Sequence, residues 1–303
     1  MDHPKVEGVL GVSQAMRQVE MLLRRVADIE GSLLITGESG VGKEVAAKFI
    51  HQISARADEP FVPVDCAAET LLEGELFGHE RAAARHHGFV ERAGNGILFL
   101  DEIAALPNWM QAKLLRLVQE RAFTRLGGET VIKSGARIIF ATSADLEAYV
   151  AEGHFHRGLY DRINVIAVAI PPLRNRTDDI LPYAQRFVHE FAERNFRCDV
   201  RGFTAEAEQA LLQHAWPGNV YELRNRVERA VRMSAAALID AEGLFPEFST
   251  VSTFPTLKDV RDRVEREQIR AALREADRRE IDGNEPPAGL PPAWMLAVKK
   301  RSS

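Results

Sequence analysis

Residues 37–43 read GESGVGK, a stretch that fits the pattern GxxxxGK. Glycines at these spacings let backbone N–H groups turn inward and hold phosphate oxygens, while Lys43 reaches the outer phosphates of a nucleotide. An apolar run precedes the stretch and an amphipathic run follows it, so the loop is predicted to join a strand to a helix N-terminus, which favours anions. A glycine-rich turn that binds nothing is the alternative, and the flanking pattern disfavours it. The predicted nucleotide-binding residues of this loop are Gly37, Glu38, Ser39, Gly40, Val41, Gly42, Lys43 and Glu44.

Two carboxylates follow an apolar run at residues 97–100. Asp101 is suited to holding Mg²⁺ through water, and Glu102 to polarising a water that attacks phosphorus. An acidic pair after a strand is often only a solvated strand end. Together with the glycine-rich loop, however, the pair predicts a site for a nucleotide and Mg²⁺.

The elements that would position these residues alternate between apolar and amphipathic runs up to about residue 168. Continuous apolar runs predict strands covered on both faces, and strands that alternate with helices predict a parallel sheet. Residues 1–170 are therefore predicted to form an α/β core with a parallel sheet flanked by helices, although the strand order does not follow from the sequence. The predicted strands are Ser32–Thr36, Phe61–Val64, Ile97–Asp101, Arg137–Thr142 and Asn164–Ile170. Two helices are predicted from apolar faces formed by Val45, Ala46, Phe49 and Ile50 and, after Pro107, by Met110, Leu114, Leu117 and Val118.

The pattern changes after Pro171 and Pro172, because only helical periodicity is found from residue 178 to about residue 237. Residues 171–247 are therefore predicted to form a smaller, all-helical domain. Residues 248–303 are predicted to form a linker, one charged helix and a tail rich in Pro and Gly that is expected to be disordered. The predicted helices of these two parts are Ile180–Phe196, Ala205–His214, Val220–Met233 and Val260–Ala276.

The composition is that of an ordinary globular protein, with 303 residues, 46% hydrophobic and 27% charged. The net charge of −5 disfavours sequence-independent nucleic-acid binding as the main activity. Cys66 and Cys198 have no CxxC spacing and are predicted to be reduced core thiols of a cytoplasmic protein. No apolar stretch approaches the roughly 18 residues that cross a bilayer, so no membrane partner is expected.

Several specific stretches resemble the AAA+ domain of bacterial enhancer-binding proteins, the activators of sigma-54 RNA polymerase. They span about residues 9–247 and read GESGVGKE, ETLLEGELFGHE, GILFLDEI, LLRLVQERAFTRLGG, PPLRNRTDDI and WPGNVYELRN. The resemblance implies a P-loop AAA+ core with a helical lid, ATP and Mg²⁺ as cofactors, and a ring, usually a hexamer, with ATP between subunits. It also implies that hydrolysis moves loops that remodel RNA polymerase holoenzyme at a closed promoter. Glu44, which stands where the general motif has Ser or Thr, is usual in this family.

The segment RAAARHH, residues 81–87, departs from the family. In the family, FGHE is followed by a longer GAFTGA-type loop that touches sigma-54. This segment is several residues shorter and has neither the Phe-Thr pair nor the glycines. The tip of the contacting loop is therefore predicted to be missing, which argues against direct sigma-54 contact. The alanines favour a short helical extension, interpreted as a surface connection in preference to a new binding element.

Four positions of the implied nucleotide site also differ from the family. Ser143 replaces a sensor asparagine and has a shorter reach towards the γ-phosphate. The family has two arginines that act on the nucleotide of the neighbouring subunit. Arg162 is one of them, whereas His156, with Arg157 beside it, takes the place of the other. A mostly neutral histidine is a weaker stabiliser of developing phosphate charge.

The lid arginine of the family is Tyr221 here, and Arg224, one helical turn away, is a candidate substitute. Asp65 stands where a polar residue, most often Asn, holds the catalytic glutamate. An aspartate there keeps a hydrogen-bond acceptor but adds like-charge repulsion towards Glu102. The resemblance and the motifs together predict Glu102, Arg162 and Asp65 as catalytic residues, Asp101 as the metal ligand, and Ser143 and Arg224 as further nucleotide contacts.

Two main functions remain open at this point. The first is an ATP-dependent transcription regulator, a ring-forming Mg²⁺-dependent ATPase of reduced activity that remodels a transcription complex. The alternative is a hydrolysis-impaired nucleotide-binding module that co-assembles with, or inhibits, an intact relative in a homo- or hetero-oligomer. A folded chain without activity is a third alternative. The helix at residues 259–276 is similar to the start of a helix-turn-helix, but residues 277–300 lack the apolar spacing of its remaining helices, so DNA binding is not supported.

Overall fold

The centre of the molecule is a five-stranded sheet in which every pairing is parallel. The computed structural model describes residues 10–68, 73–81, 84–194, 199–234 and 236–246. The strands of the sheet are Leu33–Thr36 (β1), Phe61–Asp65 (β2), Ile97–Asp101 (β3), Arg137–Thr142 (β4) and Ala167–Ala169 (β5). Their spatial order is β2-β3-β4-β1-β5, so β3 and β4 are neighbours and β1 lies beyond β4.

Helices cover both faces of this sheet. In the described part of the core they are Gln14–Val26 (α1), Lys43–Ile53 (α2), Glu73–Phe77 (α3), Phe89–Arg92 (α4), Asn108–Glu120 (α5), Leu146–Ala151 (α6) and Arg157–Ile163 (α7). Short 3-10 turns lie at Ile103–Ala105, Leu173–Asn175 and Thr177–Asp179. Within the described residues, no helix is long and apolar enough to span a bilayer.

The central strands are apolar throughout because successive side chains point to opposite faces and both faces are buried. In β3, Leu98 and Leu100 belong to one apolar cluster, whereas Ile97 and Phe99 belong to the other. Helix α5 contributes to the first cluster, and α1 and α2 contribute to the second. The predicted parallel sheet flanked by helices is therefore confirmed.

Residues after Pro172 form a further apolar cluster of their own. Its helices are Ile180–Arg194 (α8), Ala205–Gln213 (α9), Asn219–Met233 (α10) and Ala241–Leu244 (α11). Trp216 is fully buried in this cluster, and its indole N–H donates to the carbonyl of Leu211 at 2.9 Å. The predicted helical lid is confirmed, and two-residue parallel strands at Gly202–Phe203 and Leu238–Ile239 are added to it.

Two predictions of the core change in detail. The last strand of the sheet is limited to Ala167–Ala169. Val45, expected on the buried face of α2, is 41% exposed, and Ala47 lies in the core beside the other predicted residues. Cys66 is buried as predicted, whereas Cys198 and the predicted linker, charged helix and tail lie outside the described residues.

Two short antiparallel hairpins lie outside the central sheet. They are formed by His79–Arg81 with Ala84–His86, and by Ala122–Thr124 with Val131–Lys133. The first hairpin occupies much of residues 81–87, so the helical extension expected there is wrong where the structure describes it. The N–H of Glu80 donates to the carbonyl of Leu126, and the N–H of Leu126 donates to the carbonyl of Gly78. These bonds between the hairpins outweigh the helix propensity of the alanines.

Candidate functional site

The loop after β1 folds through three glycines with positive φ, at positions 37, 40 and 42. Gly40 has a φ of 76°, and a Cβ there would lie 2.4 Å from the carbonyl oxygen of Gly218, so only glycine permits this close approach of the lid. Helix α2 begins at Lys43 directly after the loop, and no side chain caps its N-terminus. The first turn of α2 therefore has N–H groups without a side-chain acceptor, and an anion would be a suitable partner for them.

Lys43 is only 6% exposed although it carries a charge. Its Nζ donates to the carbonyl oxygens of Gly37 at 3.1 Å and Glu38 at 3.4 Å. It also forms an ion pair with Oε1 of Glu102 at 3.0 Å. These acceptors hold the ammonium between the loop and the end of β3, where nucleotide phosphates would compete for it.

Asp101 and Glu102 lie where the chain leaves β3 in a sharp turn. Glu102 has a φ of 50° and a ψ of 51°, a left-handed conformation that is costly for a non-glycine residue. Its N–H donates to Oδ1 of Asp101 at 3.0 Å. Burial raises the pKa of the Asp101 carboxyl, and the charge of Lys43 opposes part of that rise. Burial would also raise the pKa of Glu102, but hydrogen bonds from Ser143 and Lys43 outweigh it and lower that pKa.

Ser143 follows β4 and contacts the same carboxylate. Its N–H donates to Oε2 of Glu102 at 3.0 Å, and its hydroxyl donates to the same oxygen at 2.8 Å. The sequence predicts Ser143 as a nucleotide contact, but in the structure its hydrogen bonds go to the glutamate. Lys43 and Ser143 thus hold opposite oxygens of one carboxylate.

The loop, the two carboxylates and the lid line one cavity of about 390 Å³. Tyr221 and Arg224 of α10 contribute to it from the lid. The side chain of Tyr221 is 65% exposed, while its N–H donates to the carbonyl of Gly40 at 3.2 Å. Arg224, the candidate substitute for a lid arginine, pairs with Glu190 at 3.2 Å and lies over the ring of Phe191.

Two other predicted site residues contact their own neighbours. Asp65 ends β2, and its exposed carboxylate accepts the N–H of Ala67 at 2.9 Å. Glu44 forms an ion pair with Lys48, one turn further along α2, at 2.6 Å. The side-chain contacts found for these two residues are therefore local, and Asp65 is not seen to hold Glu102.

Arg162 lies apart from this cavity, near the end of α7. It is exposed and lines a second cavity of about 200 Å³ that shares no residue with the first. His156 caps the N-terminus of α7, because its Nδ1 accepts the N–H of Leu159 at 3.4 Å. Neither side chain lines the nucleotide cavity of its own chain, and the action of Arg162 on a neighbouring subunit stays a prediction.

Sequence reasoning misses a junction between the lid and the loop. Asn219 is fully buried with a φ of 53°, and its amide donates to the carbonyl of Ser39 at 2.9 Å and to Glu38 at 3.2 Å. Its Oδ1 accepts the N–H of Leu173 at 2.8 Å. The guanidinium of Arg174 donates two hydrogen bonds to the carboxylate of Glu38, at 2.8 and 2.5 Å. These bonds, together with the one from the side-chain amide of Asn219, lower the pKa of the Glu38 carboxyl to about 2. The available signal was Asn after Gly in WPGN, since Asn tolerates the left-handed region.

Comparison with known proteins gives the same family as the motifs. The profile described as the sigma-54 interaction domain matches residues 9–169, and that of the AAA+ ATPase lid domain matches residues 174–258. The regulatory protein AtoC of Escherichia coli K12 is 41% identical over 97% of this chain and 66% of its own length. The Nif-specific regulatory protein of Herbaspirillum seropedicae is 46% identical over 78% of this chain and 44% of its own length.

Crystal structures of NtrX from Brucella abortus are also similar. The complex with ADP has a TM-score of 0.72 and 37% identity over 83% of this chain and 58% of that chain. The complex with ATP has the same score and identity over 82% and 57%. The chain thus spans less than two thirds of the length of these relatives. The sigma-54 interaction profile covers more than half of the sequence and the lid profile follows it, so this chain belongs to the AAA+ family defined by the sigma-54 interaction domain.

Proposed function

We propose that this chain is an ATP-binding AAA+ transcription regulator that forms a ring and couples ATP hydrolysis to the remodelling of a transcription complex. One observation carries the proposal, namely that Lys43, Asp101 and Glu102 line one cavity beside the glycine loop. Lys43 and the loop N–H groups would bind the β- and γ-phosphates. In the reaction, the water oxygen bonds to the γ-phosphorus, the bond to the ADP oxygen breaks with its electron pair, and the water proton passes to Glu102.

Asp101 fits a role as the Mg²⁺ ligand. Its carboxylate supplies the oxygen that Mg²⁺ prefers, and its burial, which raises its pKa, favours a bound cation that would restore the charged form. Among the described residues, no three or more His, Cys, Asp or Glu side chains form a metal cage. That agrees with Mg²⁺, which is usually bound by one or two carboxylates together with substrate phosphates. When bound, the ion would neutralise phosphate charge.

Arg162 is proposed to act on the nucleotide of a neighbouring subunit. It is exposed and lines a cavity separate from the site of its own chain, so a second copy or a related activator has to lie beside it. An arginine in such a role contributes about 10³–10⁵ to the rate. Arg157, on the same helix, offers a matched control because it pairs within its own helix with Asp161 at 3.1 Å.

The test is the steady-state ATPase rate of the purified chain across a concentration series. We expect the rate per chain to rise with concentration and to fall about 10²–10⁴-fold in Glu102→Gln. It should also fall in Arg162→Ala but not in Arg157→Ala. Mixed Glu102→Gln and Arg162→Ala chains should regain part of the rate, because each supplies the group that the other lacks. A rate independent of concentration, with no recovery on mixing, would contradict shared sites in a ring.

A second function is favoured by two positions. His156 caps α7 in place of a charged arginine, and Tyr221 brings no charge to the phosphates. A hydrolysis-impaired module that binds ATP and co-assembles with, or inhibits, an intact relative would have such a site. Binding of a fluorescent ATP analogue without turnover above that of Glu102→Gln would favour this second function. Direct contact with sigma-54 belongs to neither proposal, because residues 81–87 contain neither the Phe-Thr pair nor the glycines of the GAFTGA-type loop.

A further inference from the structure

The two oxygens of the Glu102 carboxylate are held by different groups. Oε2 accepts the N–H of Ser143 at 3.0 Å and its hydroxyl at 2.8 Å, while Oε1 accepts the ammonium of Lys43 at 3.0 Å. We propose that Ser143 is the positioning residue of Glu102, fixing Oε2 so that Oε1 becomes the proton acceptor once phosphates draw Lys43 away. The inference rests on the proposed function, because it assigns a role within the proposed hydrolysis.

Ser143 is suited to this role because its backbone continues directly from β4. That strand is buried at all six positions and pairs in parallel with β3, so the residues that follow the two strands meet at one edge of the sheet. The turn after β4 is closed by the N–H of Ala144, which donates to Oγ1 of Thr142 at 3.0 Å. Two hydrogen bonds from one residue to one charged oxygen fix the direction of the carboxylate as well as its distance.

Asp65 lies at the end of β2, on the other side of β3, and does not fill this role. Its carboxylate is only an acceptor when ionised, so it has no proton to donate to a second carboxylate. It already accepts the N–H of Ala67 at 2.9 Å. The donor that Glu102 requires is therefore supplied after β4, by Ser143, and not after β2.

Lys43 couples phosphate binding in the glycine loop to Oε1 of Glu102. Besides Oε1, its Nζ contacts only carbonyl oxygens among the acceptors found for it, those of Gly37 and Glu38. Phosphate oxygens carry more charge than a carbonyl and compete well for an ammonium group. When the ammonium turns to the phosphates, Oε1 loses its partner while Ser143 still holds Oε2. The attacking water then gives its proton to Oε1 while the water oxygen bonds to the γ-phosphorus. The leaving ADP keeps the electron pair of the broken bond.

The test compares kcat and the Kd for ATP in Ser143→Ala, Ser143→Thr and Asp145→Asn. Loss of a hydroxyl from a charged hydrogen bond should lower kcat about 10- to 100-fold. The Kd should stay within about threefold of wild type, because Ser143 holds the glutamate and not the phosphates. Ser143→Thr keeps the hydroxyl and should recover most of kcat. Asp145→Asn, two residues further along the same loop, is the control and should leave kcat near wild type, because the side chain of Asp145 caps α6 and asparagine is an equally good cap.

Three results would overturn the inference. They are a wild-type kcat in Ser143→Ala, a Kd that weakens as much as kcat falls, and a Thr variant as slow as the Ala variant. A loss of rate in Asp145→Asn as large as that in Ser143→Ala would also count against it, because any change in this loop would then slow the reaction. Turnover that needs Glu102 but not Ser143 refutes this inference alone. Turnover no higher than that of Glu102→Gln refutes the proposed hydrolysis and the inference together.

Discussion

The contact between the lid and the phosphate loop depends on Asn219, and truncation of this side chain should destabilise the chain markedly. Its amide makes two part-buried hydrogen bonds, to the carbonyl of Ser39 and to the carboxylate of Glu38, and accepts a buried one from the N–H of Leu173. At about 1 kcal/mol each, they contribute about 3 kcal/mol to the free energy of unfolding. Its φ of 53° adds about 1 kcal/mol of strain for alanine. Asn219→Ala should therefore lose about 4 kcal/mol.

Asn219→Gly separates the hydrogen bonds from the backbone strain. Glycine adopts a positive φ without strain but has no amide. If the hydrogen bonds dominate, the glycine variant should still lose about 3 kcal/mol. If strain dominates, it should remain close to wild type. Asn219→Asp keeps the acceptor for Leu173 but places a second carboxylate against Glu38, so it should also be destabilised.

Urea unfolding followed by circular dichroism measures these differences, and tryptophan fluorescence adds a signal from Trp216, which is buried in the lid. The same transition midpoint from both signals would show that lid and core unfold together. Alanine and glycine variants that both remain within about 1 kcal/mol of wild type would refute the argument. In that case the backbone contact of the lid with Gly40 would be sufficient to hold the junction.

Three further predictions concern other contacts. Asp179→Asn should lower the free energy of unfolding by about 3 kcal/mol in the same assay, because the fully buried carboxylate accepts two N–H groups and a hydroxyl. A loss below about 1 kcal/mol would contradict this. The pKa of Glu38 is lowered from an ordinary 4.5 to about 2, first by Arg174, so its ion pair stabilises the fold fully above pH 4.5 and is lost as the pH falls towards 2. The difference in stability between wild type and Glu38→Gln should shrink across that window, and a constant difference would argue against the ion pair. Arg125→Lys should speed limited proteolysis of the two hairpins, because lysine cannot reproduce the two parallel hydrogen bonds, at 2.8 and 2.7 Å, that the guanidinium donates to Glu91. An unchanged cleavage rate would show that these hydrogen bonds do not hold the hairpins.

The parts of the fold that the sequence predicts are those set by local pattern. The apolar run of β3 and the glycine loop before Lys43 each depend on residues that are close in the chain, and both are found where they were expected. The hairpin at residues 79–86 was not predicted, because its backbone bonds go to Leu126, more than 40 residues away. Alanine propensity describes a segment in isolation and contains no information about such a partner.

The candidate site also follows partly from local sequence pattern and partly from contacts between distant residues. Sequence patterns indicate which residues follow the strands, and the structure brings Asp101, Glu102 and Ser143 to one edge of the parallel sheet. Which of these residues touch one another depends on strand order, which no local pattern contains. β2 and β4 both lie beside β3, so strand order places both Asp65 and Ser143 near its end. Only Ser143 is found to contact Glu102, whereas the carboxylate of Asp65 accepts an N–H of its own loop.

This difference changes how the departures from the family bear on activity. Counted one by one from the sequence, Ser143 and Asp65 each weaken the site. In the structure Ser143, which follows β4, donates hydrogen bonds to Glu102. The family residue that holds the glutamate stands at position 65, at the end of β2. The two substitutions together therefore place the hydrogen-bond donor after β4, on the other side of β3. The two other departures remain, because residues 156 and 221 are His and Tyr where the family has arginine. A low ATPase rate would therefore point to weak stabilisation of phosphate charge and not to a misplaced glutamate.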